Sequence, residues 1–178
     1  MQGAVLSVNS DGAHRFSKIA SRCVRLVEGY GIEGDAHAGR FVQHRHQAGK
    51  TPLMPNRRQV HLIQSELFEE MRELGFVIAP GDLGENITTV GIDLLTLPLG
   101  AQLYLGASAV VELTGLRTPC GLIDKFKTGL KRSMIVRMPL GVTFRAGVLG
   151  IVKASGDLRP GDLVRAEFPA SRHALPPI

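Results

Sequence analysis

Short apolar runs, many of them bounded by glycine, proline or aspartate, dominate the hydrophobic pattern of this chain. Runs of this kind are typical of β-strands, and we predict strands at residues 4–8, 23–27, 87–90, 94–97, 102–105, 109–113, 146–152 and 163–168. The short segment 106–108 between two of these strands predicts a β-hairpin. Sequential strands with tight turns indicate a closed or nearly closed β-barrel, because closure removes exposed strand edges.

One segment has the periodicity of an amphipathic helix. Apolar residues recur there at steps of three and four, at Val60, Ile63, Leu67, Met71 and Leu74. Gly75 follows them and is typical of the residue after a helix end. We therefore predict one clear helix over 60–74, which carries His61 as a structural residue. Approximate helical spacing after residue 120 predicts one or two further short helices.

Length and composition indicate a single globular domain. The chain has 178 residues, of which 44% are hydrophobic and 21% are charged. We find no internal repeat or linker, and we predict one domain over 1–170 with a flexible tail over 171–178. No stretch approaches the ~20 apolar residues that cross a bilayer, and the N-terminus does not resemble a signal peptide. The sequence therefore predicts a cytoplasmic protein without a membrane partner.

The net charge of +5 indicates either an affinity for anions or simply a solvated basic surface. Nucleic acid and a phosphorylated cofactor are both candidates. Aromatic residues make up only 5% of the chain and tryptophan is absent, so the sequence offers few platforms for stacking bases. A nucleic-acid partner is therefore disfavoured, and a small-molecule ligand is preferred.

Cys120 is the strongest candidate for chemistry. It follows Pro119, whose fixed φ restricts the backbone beside the thiol. Arg117 and Lys125 lie close in sequence, and nearby cations favour the thiolate, which attacks electrophiles and binds soft metals. The alternative is a packed, inert thiol. The other cysteine, Cys23, is distant in sequence, and a disulfide between the two is disfavoured in a reducing compartment.

A glycine-rich loop over residues 31–39 supplies a second candidate site. Glycines such as Gly34 let the backbone approach a ligand closely. Asp35 and His37 could form a hydrogen-bonded pair that fixes the imidazole tautomer. The alternative is a tight turn in which the aspartate caps its own backbone.

The polar segment over residues 41–58 reads as a long surface loop. His44, Arg45, Arg57 and Arg58 favour an anion-binding surface. Histidines of this loop could join Asp35 and His37 in a zinc or iron site, but the spacing is not diagnostic of one. Asn86, in the segment 81–86, could hydrogen-bond a heterocycle or cap a turn.

Short motifs follow one another along the chain: Gly31-Ile-Glu-Gly-Asp-Ala-His37, Arg58-Gln-Val-His-Leu-Ile63, Gly81-Asp-Leu-Gly-Glu-Asn-Ile-Thr88, Gly91-Ile-Asp93, Leu99-Gly100, Glu112-Leu-Thr-Gly115, Arg117-Thr-Pro-Cys120 and Arg159-Pro-Gly-Asp162. In this order they resemble the motifs of the MOSC family, which is found at the C-terminus of molybdenum-cofactor sulfurases and in stand-alone bacterial proteins. The resemblance covers about residues 5–168. Cys23 matches none of these motifs and is interpreted as structural.

The resemblance implies a mainly β fold, a barrel like the small domain of pyruvate kinase. It implies that Cys120 is the catalytic cysteine and the metal ligand for molybdenum cofactor (molybdopterin). Asp35 and His37 would then face the cofactor or substrate as hydrogen-bond partners or proton donors. Arg117 and the basic loop would support the thiolate or the phosphate. Pyridoxal phosphate, which is also mentioned for such domains, is not expected, because no lysine lies in a sequence typical of a Schiff base.

Three functions remain open from the sequence. The first is a molybdenum-dependent reductase of N-hydroxylated compounds, served by a separate electron-transfer partner, because the chain has no ferredoxin-type cysteine set and no flavin fingerprint. The second is a sulfur carrier that holds a persulfide on Cys120 and is loaded by a cysteine desulfurase. The third is a basic nucleic-acid-binding barrel.

Overall fold

The computed structural model describes residues 1–43, 53–139, 141–170 and 172–178. Its strands are β1 (Gln2–Ser10), β2 (Ile19–Ser21), β3 (Val24–Val27), β4 (Gly31–Ile32), β5 (Val60–Gln64), β6 (Ile87–Val90), β7 (Gln102–Leu105), β8 (Ala109–Leu116), β9 (Ile135–Met138), β10 (Gly141–Phe144), β11 (Val148–Ala154), β12 (Gly156–Leu158) and β13 (Leu163–Glu167). Its helices are α1 (Glu66–Glu73), α2 (Gly121–Phe126) and α3 (Leu130–Ser133), with a 3₁₀ turn at Leu94–Thr96. None of the helices in these ranges is long and apolar enough to cross a membrane.

Seven strands close into a β-barrel, as the sequence predicts. Around the barrel they run β1, β13, β7, β8, β11, β5 and β6, and β6 pairs with β1 again. Of these pairings β5–β6 is parallel and the others are antiparallel. A further strand, β2, extends the sheet beside β1, while β3, β4 and β12 form a small separate sheet.

Alternation of side chains along the strands fills the barrel interior. Leu103 and Leu105 of β7 and Val111 and Leu113 of β8 are buried, whereas the residues between them are partly exposed. The predicted hairpin is confirmed, since Leu105 pairs with Ala109 across its turn. Each fully buried aliphatic side chain of this core contributes about 1.5–3 kcal/mol to stability.

The predicted helix over 60–74 is half correct. Its second half is α1, and Gly75 ends it as expected, with φ of 87° and its N–H donated to Arg72 O. Its first half is strand β5, between β11 and β6, so His61 lies on a strand and not on a helix. Val60, Leu62 and Ile63 are all buried, and a fully buried strand gives a continuous apolar run that periodicity cannot distinguish from a helix.

Two other local predictions are wrong. Residues 94–97, predicted as a strand, form the 3₁₀ turn, because the Asp93 carboxylate accepts from Leu95 N at 3.1 Å and caps it. The sequence also misses the β9–β10 hairpin, whose residues are partly or fully exposed and lack a strand's one-sided apolar pattern. We call residues 121–144 the excursion, because they leave the barrel between β8 and β11 and contain α2, α3 and this hairpin.

The excursion is anchored by a second, smaller core. Ile123, Leu130 and Met134 of the excursion are buried in one cluster with Leu67 and Met71 of α1. This cluster is separate from the one that fills the barrel. The helices after Cys120 are therefore held by α1, and they fix the surface next to that cysteine.

The sequence predicts a flexible tail over 171–178, and the described part of it, 172–178, packs against the barrel. Leu175 is buried in the barrel cluster, and Leu116 at the end of β8 donates its N–H to Pro176 O at 2.8 Å. Ile178 N donates to Leu116 O at 2.9 Å. The apolar Leu175 and these backbone bonds hold residues 172–178 against β8, which the polar and proline-rich sequence did not indicate.

Candidate functional site

A cavity of about 620 Å³ opens where β8 ends. That volume lies within the range usual for small-molecule sites. Cys120 and Pro119 reach it from the end of β8, His61 from β5, Asn86 from the start of β6, and Lys18 from the segment before β2. The site is therefore assembled from segments that are far apart in sequence and that the barrel brings together.

Cys120 is presented by a well-held piece of backbone. Arg117 N donates to Gly147 O at 2.9 Å, and Thr118 N donates to Ile178 O at 3.2 Å. Pro119 is buried, and Cys120 itself is extended and serves as the N-cap residue of α2. Its thiol is free and the residue is partly exposed in the cavity wall. The predicted cysteine is thus reachable from solvent. Cys23 is also free and partly exposed, and it does not line this cavity.

Positive charge dominates the cavity wall. None of the described residues that line it is Asp or Glu, and its Arg, Lys and His residues are His14, Arg15, Lys18, His37, Arg58, His61 and Arg117. Burial lowers the pKa of Arg58 and of Arg117, and for Arg117 the charges of Cys120 and Glu85 act in the opposite direction. The Nη1 atom of Arg117 is buried and has no hydrogen-bond partner among the described residues. Such a wall is suited to an anion.

Asp35 lies behind the wall and not in the cavity. Its side chain is 0% exposed, and it accepts hydrogen bonds from Lys18 Nζ, from Asn86 Nδ2 at 3.0 Å and from His37 N at 2.9 Å. Burial alone would raise the pKa of Asp35, but the hydrogen bonds from His37 and Lys18 and the Lys18 charge outweigh it and hold the pKa below its usual value. The sequence predicts that Asp35 faces a ligand, whereas the structure places it outside the cavity lining, with its oxygens positioning three residues that do line the cavity.

Lys18 and His37 are the groups that Asp35 presents to the cavity. The Lys18 ammonium is paired with Asp35, and its Nζ lies 3.4 Å from His37 Nδ1. Burial lowers the pKa of Lys18, and the Asp35 charge and hydrogen bond oppose that shift. The His37 side chain is 30% exposed, and its ring meets the His14 ring edge-on with centroids 5.3 Å apart. Protons can therefore be held at the cavity wall by two adjacent side chains.

Asn86 and His61 have structural roles in this wall. Asn86 donates to Asp35 and to Asn9 O and accepts from His61 N at 3.1 Å, so most of its hydrogen-bonding capacity is already used. His61 Nε2 lies 2.8 Å from Ala146 O, to which it donates. Burial and then the Arg117 charge hold the pKa of His61 well below its usual value, so this imidazole is neutral at pH 7.

Glu85 is a buried acid next to this site, and the sequence reading gave it no individual role. Its Oε1 accepts from Gly81 N and from Thr88 Oγ1, whereas its Oε2 is buried and has no hydrogen-bond partner among the described residues. Burial raises the pKa of Glu85 to about 7. The cavity therefore has a titratable carboxyl behind it that changes charge near neutral pH.

A second cavity of about 300 Å³ adjoins the first. The two share His37, Arg58 and Ile178, and the second also includes Arg57 and the apolar Val42. Part of the predicted surface loop 41–58 forms its wall, where Val42 N donates to Met54 O at 3.0 Å. Arg57 thus lies in the second cavity and not in the one with Cys120.

The structure brings only some of the predicted site residues together in the cavity beside Cys120. The predicted residues that line the cavity are His37, Arg58, Asn86, Arg117 and Cys120. Gly34 is exposed in the turn before Asp35, with φ of 76°, and does not line it. His44 and Arg45 lie outside the described residues. In the described ranges no group of three or more His, Cys, Asp and Glu residues could hold a metal ion, so these ranges give no support to a zinc or iron site.

Lys18, His14 and Arg15 were missed as site residues. They precede β2 in a polar stretch that matches no motif, and only the folding of β1 and β2 carries them to Cys120. No local signal in the sequence could have found them.

Comparison with known protein families shows the family to which the chain belongs. The model of the MOSC domain matches residues 16–165, and the chain belongs to the MOSC domain family.

Solved structures confirm the fold. The YuaD protein from Bacillus subtilis is 22% identical, with a TM-score of 0.72 over 93% of this chain and 96% of that one. YiiM from Escherichia coli is 20% identical, with a TM-score of 0.61 over 98% of this chain and 73% of that one. YiiM from Geobacillus stearothermophilus is 17% identical, with a TM-score of 0.59 over 93% and 73%. A search of curated proteins finds no match.

Proposed function

We propose that this MOSC-domain protein binds molybdenum cofactor in the cavity beside Cys120 and reduces N-hydroxylated compounds. The observation that carries the proposal is a partly exposed thiol in a cavity whose described lining is basic and contains no Asp or Glu. Membership of the MOSC family associates the chain with this cofactor.

The residues present suit the chemistry of such a group. Molybdopterin offers two dithiolene sulfurs for the metal and one phosphate. The Cys120 sulfur would be the protein ligand of molybdenum, because soft thiolates suit a sulfur-rich metal site. Arg58, Lys18 and Arg117 would hold the phosphate, and the unpartnered Nη1 of Arg117 has a donor to give. Pyridoxal phosphate does not suit the site, since Lys18 is paired with an ionised carboxylate and is not a free amine.

Reduction of an N–OH group breaks the N–O bond and consumes two electrons and two protons, with an amine and water as products. Bound cofactor supplies a metal centre that exchanges those electrons. The chain's own part is to orient the substrate and to hold protons. Lys18 and His37 hold them at the cavity wall, and Asp35 fixes both side chains. The electrons come from a separate carrier, since the sequence has neither a ferredoxin-type cysteine set nor a flavin fingerprint.

The test is molybdenum analysis of protein purified from cells that make the cofactor. We expect molybdenum in the wild type and in Cys23→Ser, which loses the other partly exposed thiol. We expect at least about tenfold less in Cys120→Ser, because loss of a group that merely supports a metal ligand already costs about 10–100-fold in metal affinity. A wild type without molybdenum, or an unchanged amount in Cys120→Ser, would contradict the proposal.

A sulfur carrier is the second candidate, and the exposure of Cys120 beside Arg117 supports it, because a persulfide anion there would be both reachable and stabilised. Incubation with a cysteine desulfurase and cysteine should then add one labile sulfur to Cys120 by intact mass. The absence of that addition, in conditions that load a known carrier, would exclude it.

Free thiols suit a reducing compartment, so we propose the cytoplasm as the location.

A further inference from the structure

The excursion concentrates the positive charge of the protein. Between residues 121 and 144 the sequence has five Lys or Arg and one Asp, so this segment carries four of the five net positive charges of the chain. The rest of the molecule is close to neutral. Such an asymmetry directs association with negatively charged partners and raises their rate of encounter.

These charges lie on the outer side of the excursion. Ile123, Leu130 and Met134 face the small core against α1, while Lys125 and Arg132 are exposed on the same two helices. Arg137 of β9 is exposed as well.

Large apolar side chains are exposed in the same segment. Leu122 is 47% exposed, Met138 is 54% exposed and Val142 is 55% exposed. Exposed apolar residues accompanied by charged ones are typical of protein interaction surfaces.

The excursion also borders the cavity. Helix α2 begins at the residue after Cys120, and Leu122 on its first turn lines the cavity while remaining half-exposed. A protein bound to this surface would therefore lie next to the proposed metal ligand.

We propose that the excursion is the docking surface for an acidic electron-carrier protein with a reduced flavin or iron–sulfur centre. That the docked protein carries electrons rests on the proposed function. Reduction of each N–O bond needs two electrons, which a one-electron carrier supplies in two deliveries. A protein is favoured over nucleic acid because the exposed apolar residues are aliphatic. The one aromatic residue of α2, Phe126, is partly buried beside Phe16, with ring centroids 5.8 Å apart, and offers no open face for stacking among the described residues.

The test compares two charge-reversal variants that change the net charge equally. Arg132→Glu/Arg137→Glu alters exposed arginines of the excursion, and Arg22→Glu/Arg159→Glu alters exposed arginines outside it; none of the four lines either cavity. Binding of a bacterial flavodoxin, used as the acidic carrier, is titrated by calorimetry at low and at physiological salt. Turnover is measured with reduced flavodoxin and with reduced methyl viologen, a dye that needs no docking surface.

We expect the excursion variant to bind flavodoxin about tenfold more weakly and the control variant to change less than about twofold. Wild-type binding should weaken with salt, and dye-driven turnover should stay unchanged in the excursion variant. Equal losses in both variants, no binding by the wild type, or tighter binding of a single-stranded RNA at the same surface would overturn the inference. If the dye drives no turnover in any of the proteins, the proposed function fails, while the titrations still decide the docking surface.

Discussion

Asp35 holds three cavity-lining side chains from a position with no contact with solvent. Its carboxylate accepts from Lys18, Asn86 and His37, and also from Asp11 N at 3.3 Å. The side chain of Lys18 is 3% exposed, so the ion pair is buried on both sides. Removal of one partner of such a pair leaves an uncompensated buried charge, which is far more costly than removal of both.

We therefore predict that Lys18→Met destabilises the protein by about 3–5 kcal/mol. Removal of the other charge of the pair, by Asp35→Asn, should destabilise the protein by a comparable amount. The double variant Lys18→Met/Asp35→Asn should lose clearly less than the sum of the two, because neither charge is then left alone. Urea unfolding measures all three variants, and additive losses would show that the pair is not coupled.

Because the pKa of Glu85 is raised in the folded protein, we predict that stability depends on pH. This pKa is about 7 in the folded protein and close to 4.5 when unfolded. Below pH 4.5 both states are protonated and Glu85 has no effect. As the pH rises, the unfolded state loses its proton first, so stability falls between pH 4.5 and about 7, by about 3 kcal/mol in total.

Glu85→Gln removes this titration. Relative to the wild type, the unfolding free energy of this variant should rise by about 3 kcal/mol between pH 4.5 and pH 8. The exposed Glu73→Gln on α1 is the control and should stay parallel to the wild type. Parallel curves for Glu85→Gln and the wild type would show that folding does not raise the pKa of Glu85.

At the scale of elements, β8 and the C-terminal residues form one unit. Thr118 donates to Ile178 O through both its backbone N–H and its hydroxyl, and Leu116 pairs with the residues around Pro177. Ile178 also lines both cavities. The strand that leads to Cys120 is therefore positioned in part by the last residues of the chain.

Gly115 is the point of closest approach in that unit. A Cβ there would lie 2.6 Å from Pro176 O and 2.7 Å from Ile178 Cγ1, so Gly115→Ala must displace the C-terminal residues. We predict a loss of about 1–3 kcal/mol, the usual cost of overpacking. Gly121→Ala, at the start of α2 with open space around it, should be neutral or stabilising by up to about 1 kcal/mol. Thermal unfolding checks both, and equal midpoints would contradict the tight packing.

The elements that the sequence predicts well are those with a clear period. Strands β7 and β8 alternate and flank a short glycine-containing turn, and both were found. β5 was mistaken for helix because it is buried on both faces, and its neighbours β6 and β11 are distant in sequence. The β9–β10 hairpin was missed because the small core against α1 orders the excursion, and its own residues carry no one-sided pattern.

At the scale of the whole molecule, closure of the barrel brings together site residues that sequence motifs alone do not identify. Cys120, Arg117 and His37 lie in recognisable motifs, so the sequence alone identifies them as candidate site residues. Lys18 depends on Asp35, which is 17 residues away in sequence. Glu85 bonds to near neighbours in sequence, Gly81 and Thr88, and its importance comes from burial by the folded chain, which the sequence does not display. Motifs identify the residues of a site, whereas closure determines which of them face the ligand.

If molybdenum cofactor binds at the Cys120 sulfur, as proposed above, it shields that thiol from alkylation. The rate of iodoacetamide alkylation at each cysteine, read by peptide mass mapping, measures this shielding in protein purified with and without the cofactor. We predict that Cys120 reacts in cofactor-free protein and is protected in loaded protein, while Cys23 reacts equally in both. Equal reactivity of Cys120 in the two preparations, although one of them contains molybdenum, would contradict binding of the cofactor at this sulfur.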